Sequence, residues 1–191
     1  MNRKEYFCVI VLLAILSGIV IFVPTMPATK PAIIEVEKPV PIPTPCWSVF
    51  FSPNGGCTDA VVAEVHKAKK WVHAQAYAFT SSTICEALNG AAFRGLEVEV
   101  ILDDKWNRSN PDSLMGTLVV EVLMDSSHTI AHDKLLILDG TTVITGSFNW
   151  THAAETRNGE NLLIVRDPEL AAVYERNFQK HKAHSKPWRK P

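Results

Sequence analysis

His132 and Lys134 stand two residues apart at the head of an apolar run, His132-Asp133-Lys134-Leu135-Leu136-Ile137-Leu138-Asp139. Ser147 and Asn149 have the same spacing in Gly146-Ser147-Phe148-Asn149. The run over Ala131–Leu138 predicts a strand, in which alternate side chains share a face, so His132 and Lys134 are expected on one side. Asp139-Gly140, followed by Thr142–Thr145, predicts a tight hairpin. The returning strand then delivers Ser147 and Asn149 beside the first pair. An imidazole, an ammonium, a hydroxyl and an amide in one patch suit a phosphodiester. Lysine and asparagine donate to non-bridging oxygens, where the transition state gathers negative charge. Histidine near neutral pH serves as nucleophile or as general acid and base. No carboxylate cluster for Mg²⁺ accompanies the set, which argues against two-metal chemistry, and neither metal nor cofactor is expected. His128 and His132 are four apart, but a loop-to-strand junction does not present them as a helical ligand pair.

The elements around this patch follow from periodicity and punctuation. Trp47–Phe51 reads as a strand and Ser52–Gly56 as a turn. Residues 58–70 carry Val61, Val62, Val65 and Ala68 at helical spacing. Trp71–Phe79 alternates as a strand. Thr83 with Glu86 predicts a capping box for a helix to about Arg94, closed by Gly95. Glu97–Leu102 and Val119–Met124 read as strands, with a polar surface loop over 103–116. Glu160–Val165 is a further strand, and Asp167-Pro168 caps a last helix. Strands alternating with helices, plus a hairpin, predict an α/β fold: a mixed β-sheet flanked by helices on both faces.

Ahead of this domain the chain has a different character. Arg3 and Lys4 precede an uncharged run from Cys8 to Val23, which Pro24 stops. A basic flank, an apolar helix with no polar face and a breaker fit an export segment over 1–23. A retained signal anchor is favoured over a cleaved signal peptide, because no good small-x-small cleavage site follows. Seven prolines in 24–45 predict a polyproline linker. The domain is assigned to 46–180 and a basic tail to 181–191. The protein is thus expected to be exported and periplasmic, tethered to the inner membrane or soluble after cleavage, touching the membrane through residues 8–23 if uncleaved. An oxidising compartment permits a disulfide among Cys46, Cys57 and Cys85, and Cys46–Cys57 is the preferred pair.

The 191-residue chain has a net charge of −1 and is 47% hydrophobic. This average conceals an acidic body over 46–179 and five basic residues among the last dozen. Binding of nucleic acid by bulk positive charge is therefore excluded, but a few placed groups still suffice for catalysis. Trp71, Trp106 and Trp150 are candidates to stack on bases. Trp150, next to Asn149, is preferred, and His152 is a candidate to line the pocket.

The spacing His132-x-Lys134-x4-Asp139-x6-Gly146-Ser147-x-Asn149 resembles the HKD motif of the phospholipase D superfamily. Phe51-Ser52-Pro53, Ala76-Tyr77-Ala78-Phe79-Thr80, Arg94-Gly95 and the strand to Asp103 resemble the small bacterial Nuc-type endonucleases. The resemblance implies a metal-independent, two-step displacement through a phosphohistidine. On that reading His132 attacks phosphorus, Lys134 and Asn149 bind its oxygens, and Ser147 supports them. Glu160 is similar to the carboxylate that orients the histidine ring. Asp139 and Gly140 read as the hairpin turn, with Gly146 a further structural position of the motif. One motif supplies one histidine, and the chemistry needs two, so the resemblance implies a homodimer with a shared site. The leading expectation is an endonuclease on DNA or RNA. The alternatives are a phospholipase D acting on phospholipid or cardiolipin, and a non-catalytic envelope binding protein that retains the fold.

Overall fold

The computed structural model describes residues 46–189. The apolar segment 1–23, the linker 24–45 and residues 190–191 lie outside the described residues. In chain order the elements are β1 (Trp47–Ser52), α1 (Cys57–Lys67), β2 (Trp71–Ala76), α2 (Ser82–Phe93) and β3 (Glu97–Asp103). There follow α3 (Asp104–Ser109), β4 (Val122–Asp125), β5 (Lys134–Leu138), β6 (Thr142–Gly146) and α4 (His152–Thr156). The last are β7 (Glu160–Arg166), α5 (Pro168–His184) and β8 (Lys186–Pro187). The eight strands form one sheet in the order β1-β7-β6-β5-β2-β3-β4-β8. β2 runs parallel to β3, and β3 to β4. The remaining pairs are antiparallel, so the sheet is mixed.

Both faces of the sheet are covered. Val72, Ala74, Ala76, Leu136 and Ile144 pack with α1 and α2 on one side. Ile101, Leu135, Ile137 and Val143 pack with Ala171 and Phe178 of α5 on the other. This explains the unbroken apolar run Leu135–Leu138, since a central strand is buried on both sides. Among the described residues no helix is long and apolar enough to cross a membrane.

The β5–β6 hairpin is fixed from within and from outside. Asp139 and Gly140 have φ of 54° and 68°, the left-handed geometry of the tight turn that suits strand twist. The Asp139 carboxylate does not bond within the turn. It accepts the backbone N–H groups of Lys69 (2.8 Å), Lys70 (2.8 Å) and Trp71 (3.0 Å), and so ties the turn to the start of β2. Burial opposes ionisation of Asp139, but these three donors and the Lys70 charge outweigh it and lower its pKa. At the end of β6, Gly146 has φ of 150°, and a Cβ there would fall 2.2 Å from the Asn161 carbonyl oxygen on β7. The neighbour is backbone in a paired strand and cannot step aside. Gly146→Ala is therefore expected to cost about 3 kcal/mol or more in urea unfolding, within the range of severe backbone lesions. A loss under about 0.5 kcal/mol would show that the β6–β7 pairing yields easily.

Several sequence expectations are corrected. The helix at 82–93 is capped by Ser81, whose Oγ accepts the Ile84 N–H (3.4 Å), and Thr83 lies inside its first turn. The expected loop 103–116 contains α3, capped by Asp103 Oδ1 on the Trp106 N–H (2.7 Å). The domain boundary at 180 falls inside α5. Residues of the expected tail form that helix's end and β8, which pairs with β4, and Trp188 packs against the core. Cys46 and Cys57 are unbonded. β1 and the turn after it separate the two, with Cys46 left exposed and Cys57 buried at the start of α1. Burial, reinforced by Glu155, pushes the Cys57 thiol up to about 11, so it stays protonated.

Candidate active site

β5 begins at Lys134, and His132 sits exposed on the segment entering it. The two residues therefore meet by a route other than a shared strand face. β2 pairs with β5 through Ala76 opposite Lys134, which sets Tyr77 beside both side chains. The His132 ring lies 4.7 Å from the Tyr77 ring at 59°. Lys134 Nζ lies 5.2 Å from the centroid of the same ring and donates to the His132 carbonyl at 2.5 Å. Lys134 is buried, which pulls its ammonium down to about 8 against the opposing pull of Asp133 and Glu160. A desolvated cation with few anionic partners is primed to take an anionic oxygen.

The segment that presents His132 is held by backbone and side-chain bonds on both flanks. Asp103, 2% exposed, accepts the Ala131 N–H through Oδ2 (2.9 Å) while Oδ1 caps α3. The Asp133 carbonyl accepts the Tyr77 N–H (3.1 Å), and its carboxylate accepts from Gln75 Nε2 (3.0 Å). Asn107 of α3 donates to the Tyr77 carbonyl (2.8 Å). Trp106, half-buried, has its ring 5.8 Å from that of Tyr77 at 48°.

Ser147 and Asn149 follow β6. Ser147 is exposed, its Oγ accepting the Asn161 N–H (3.1 Å) and its own N–H donating to the Asn161 carbonyl (3.1 Å). The intervening Phe148 is fully buried and pins this segment to the core. Asn149 is half-buried, and its Oδ1 is buried with no hydrogen-bond partner. The orphaned atom is the amide's acceptor; a phosphate oxygen would be met by the Nδ2 donor of the same side chain. Glu160 opens β7, where its carboxylate accepts from Asn158 (3.1 Å) and makes no hydrogen bond to His132 in the same chain. Its charge nevertheless acts on Lys134.

Trp150 is 1% exposed, edge-on to Phe79 at 6.1 Å, and its carbonyl accepts the N–H groups of Thr80 and Ser81. It is a core residue, and the expectation that it stacks on a base is withdrawn. His152 is exposed and lines a polar groove of about 530 Å³ with Asn54, Thr58, Thr80, Ser82 and Glu155. Sequence reasoning overlooked the positioning parts: Gln75, Asp103 and Asp133. It saw Tyr77 only within a longer segment. The cap spacing Asp103-x-x-Trp106 was the one local signal available for α3.

Known proteins resemble this chain in sequence and fold. The family model described as "Cardiolipin synthase, PLD-like domain" matches residues 61–182. Phospholipase D of Rickettsia typhi is 39% identical over 142 residues, 71% of this chain and 68% of that protein. The mitochondrial cardiolipin hydrolase of Xenopus laevis is 31% identical over 153 residues, 73% of this chain and 72% of that one. Among solved structures, Nuc from Salmonella typhimurium, a phospholipase D family member, superposes with a TM-score of 0.72 at 33% identity, covering 77% of this chain and all of that one. NucT from Helicobacter pylori gives 0.69 at 25% identity, covering 74% and 98%. These matches show that the chain belongs to the phospholipase D superfamily of phosphodiesterases.

Proposed function

We propose that the protein is an endonuclease that hydrolyses phosphodiesters of DNA or RNA through a covalent phosphohistidine, at a site completed by a second copy of the chain. His132 attacks phosphorus, forming a P–N bond as the P–O bond to the leaving group breaks. The second copy's histidine gives the leaving oxygen its proton. Water then attacks phosphorus, that histidine takes a proton from it, and the P–N bond breaks to restore His132. Lys134 and Asn149 hold the non-bridging oxygens, with Ser147 supporting the Asn149 segment through Asn161.

The observation that supports the nucleic-acid reading is the pair of partly exposed aromatic rings at the candidate nucleophile, Tyr77 at 4.7 Å from the His132 ring and Trp106 at 5.8 Å from Tyr77, a residue type on which bases stack. A dimer is supported by the exposed His132 ring and by Glu160, which within one chain is turned to Asn158. The carboxylate that sets the histidine's tautomer then comes from the second copy. Phospholipid is the second reading, favoured by the names of the Rickettsia and Xenopus relatives.

The test compares the full chain on plasmid DNA, RNA and cardiolipin vesicles, with and without added Mg²⁺, and follows its mass by sedimentation. Nicking of nucleic acid by a dimer, without dependence on Mg²⁺, is expected. Lipid hydrolysis with no cleavage of nucleic acid would replace the first reading by the second. Full activity in a strictly monomeric protein would remove the shared site.

A further inference from the structure

A second cluster of chemically competent side chains lies beyond the catalytic patch. Asp125 ends β4 and is 1% exposed. Its Oδ2 lies 2.9 Å from His128 Nδ1, 2.9 Å from His181 Nδ1 and 3.2 Å from His184 Nε2. The three rings stand with centroids 4.8, 5.1 and 5.4 Å apart. The four donor atoms all lie within 4.8 Å of one another. Two spacings produce this. Asp125-x-x-His128 folds over the turn after β4, where Asp125 Oδ1 also accepts the Ser127 N–H (3.0 Å). His181-x-x-His184 occupies the last turn of α5, where residues three apart share a face. The pairing of β8 with β4 draws that helix end over Asp125.

A hydrogen-bonded cluster alone explains this poorly. Three imidazole nitrogens converge on Asp125 Oδ2, which has two lone pairs, and of the three only His128 Nδ1 also reaches Oδ1, at 3.2 Å. Three histidine nitrogens and one carboxylate oxygen are, however, a full ligand set for zinc. In a tetrahedron with bonds of about 2.0–2.1 Å the ligand atoms lie roughly 3.3 Å apart. Three of the six edges, those from Asp125 Oδ2 to each nitrogen, are within about 0.4 Å of that length. The nitrogen-to-nitrogen edges close by rotation of His128 and His184, whose side chains are 46% and 34% exposed and free to turn.

We propose that Asp125, His128, His181 and His184 form a tetrahedral zinc site. Four protein ligands leave no open position, so the ion is structural and takes no part in the displacement chemistry. It fastens the end of α5 to the end of β4 and to the loop 126–133. That loop carries His132, and His181 Nε2 also lies 3.8 Å from the Asp133 carboxylate. The ion would thus brace the segment presenting the nucleophile.

The test uses the full chain in detergent and does not depend on activity. Zinc per chain is measured by mass spectrometry of the metal. Affinity is measured by competition with a chromophoric chelator, and geometry from the visible spectrum after Co²⁺ exchange. One zinc per chain and the intense bands of four-coordinate Co²⁺ are expected. The double variant His128→Ala, His184→Ala alters two partly exposed positions and is expected to fold. It should lose at least about 100-fold in affinity, whereas His66→Ala, on the exposed face of α1, should bind as wild type. Chelation should lower the melting temperature of the wild type and leave that of the double variant unchanged. Sub-stoichiometric zinc, a six-coordinate Co²⁺ spectrum, or affinity equal in the double variant and wild type would overturn the site.

Discussion

Replacing His132 with alanine is expected to lower phosphodiester hydrolysis by at least about 1,000-fold, because the covalent intermediate loses its nucleophile and no neighbouring group can substitute. The change should leave the fold intact. His132 is exposed and lies outside the β5 ladder, with its ring tilted at 59° against that of Tyr77. Surface positions of this kind move stability by about 0.5 kcal/mol or less. The pair of readouts separates the two roles open to this residue. A histidine that only packs on Tyr77 would give a small loss of rate with a matching loss of melting temperature. A nucleophile gives a collapse of rate at constant melting temperature. In a dimer with a shared site, mixing His132→Ala with wild-type chains should also poison activity, since each mixed dimer keeps one histidine.

Lys134→Met is expected to remove about 100- to 1,000-fold of activity, the range for losing one placed group that holds transition-state charge, while stability is kept or improved. The sign follows from its pKa. Burial lowers the Lys134 ammonium from 10.5 to about 8, so between about pH 8 and 10.5 the unfolded chain binds more protons than the folded one. Stability contributed by this group therefore rises with pH across that window and is at its lowest below pH 8. Methionine has similar length and no charge to desolvate. At pH 7 the variant should melt at the same temperature as wild type or higher. Catalysis shows the opposite trend. The wild-type kcat/KM should fall as pH rises through about 8, when the free enzyme loses the ammonium. The limb in kcat should lie at higher pH, since a bound phosphodiester favours the charged form. A flat kcat/KM from pH 7 to 9, or a marked loss of stability in Lys134→Met, would contradict this assignment.

How much was readable from sequence depended on how local the cause was. The mixed sheet and its strands followed from apolar runs whose burial on both faces is a property of β5 and its neighbours. The hairpin at Asp139-Gly140 was legible because its backbone geometry admits few residues. Asp139's long-range bonds to Lys69, Lys70 and Trp71 were not, since nothing near Asp139 records partners about seventy positions away. The motif residues His132, Lys134, Ser147 and Asn149 were legible as a candidate site, but the way the first two meet was not. His132 stops short of the strand, and Tyr77, just past the end of β2, provides the common surface. Trp150 misled because adjacency to Asn149 says nothing of direction. Alternation along the chain turns Phe148 and Trp150 into the core, while Asn149 between them is only half-buried. The cluster at Asp125 escaped notice because half of it comes from the end of a helix assigned to a tail.

The central claim is that the His132 ring carries the phosphoryl group between two displacements. Rapid acid-free quenching of the full chain with a slowly hydrolysed phosphodiester, followed by peptide mass spectrometry, tests it directly. The account predicts a substrate-derived phosphoryl adduct, labile in acid and stable in base, on the peptide that contains His132, formed within one turnover and absent from His132→Ala. Steady turnover with no adduct at any time, or an adduct on another residue that persists in His132→Ala, would contradict it.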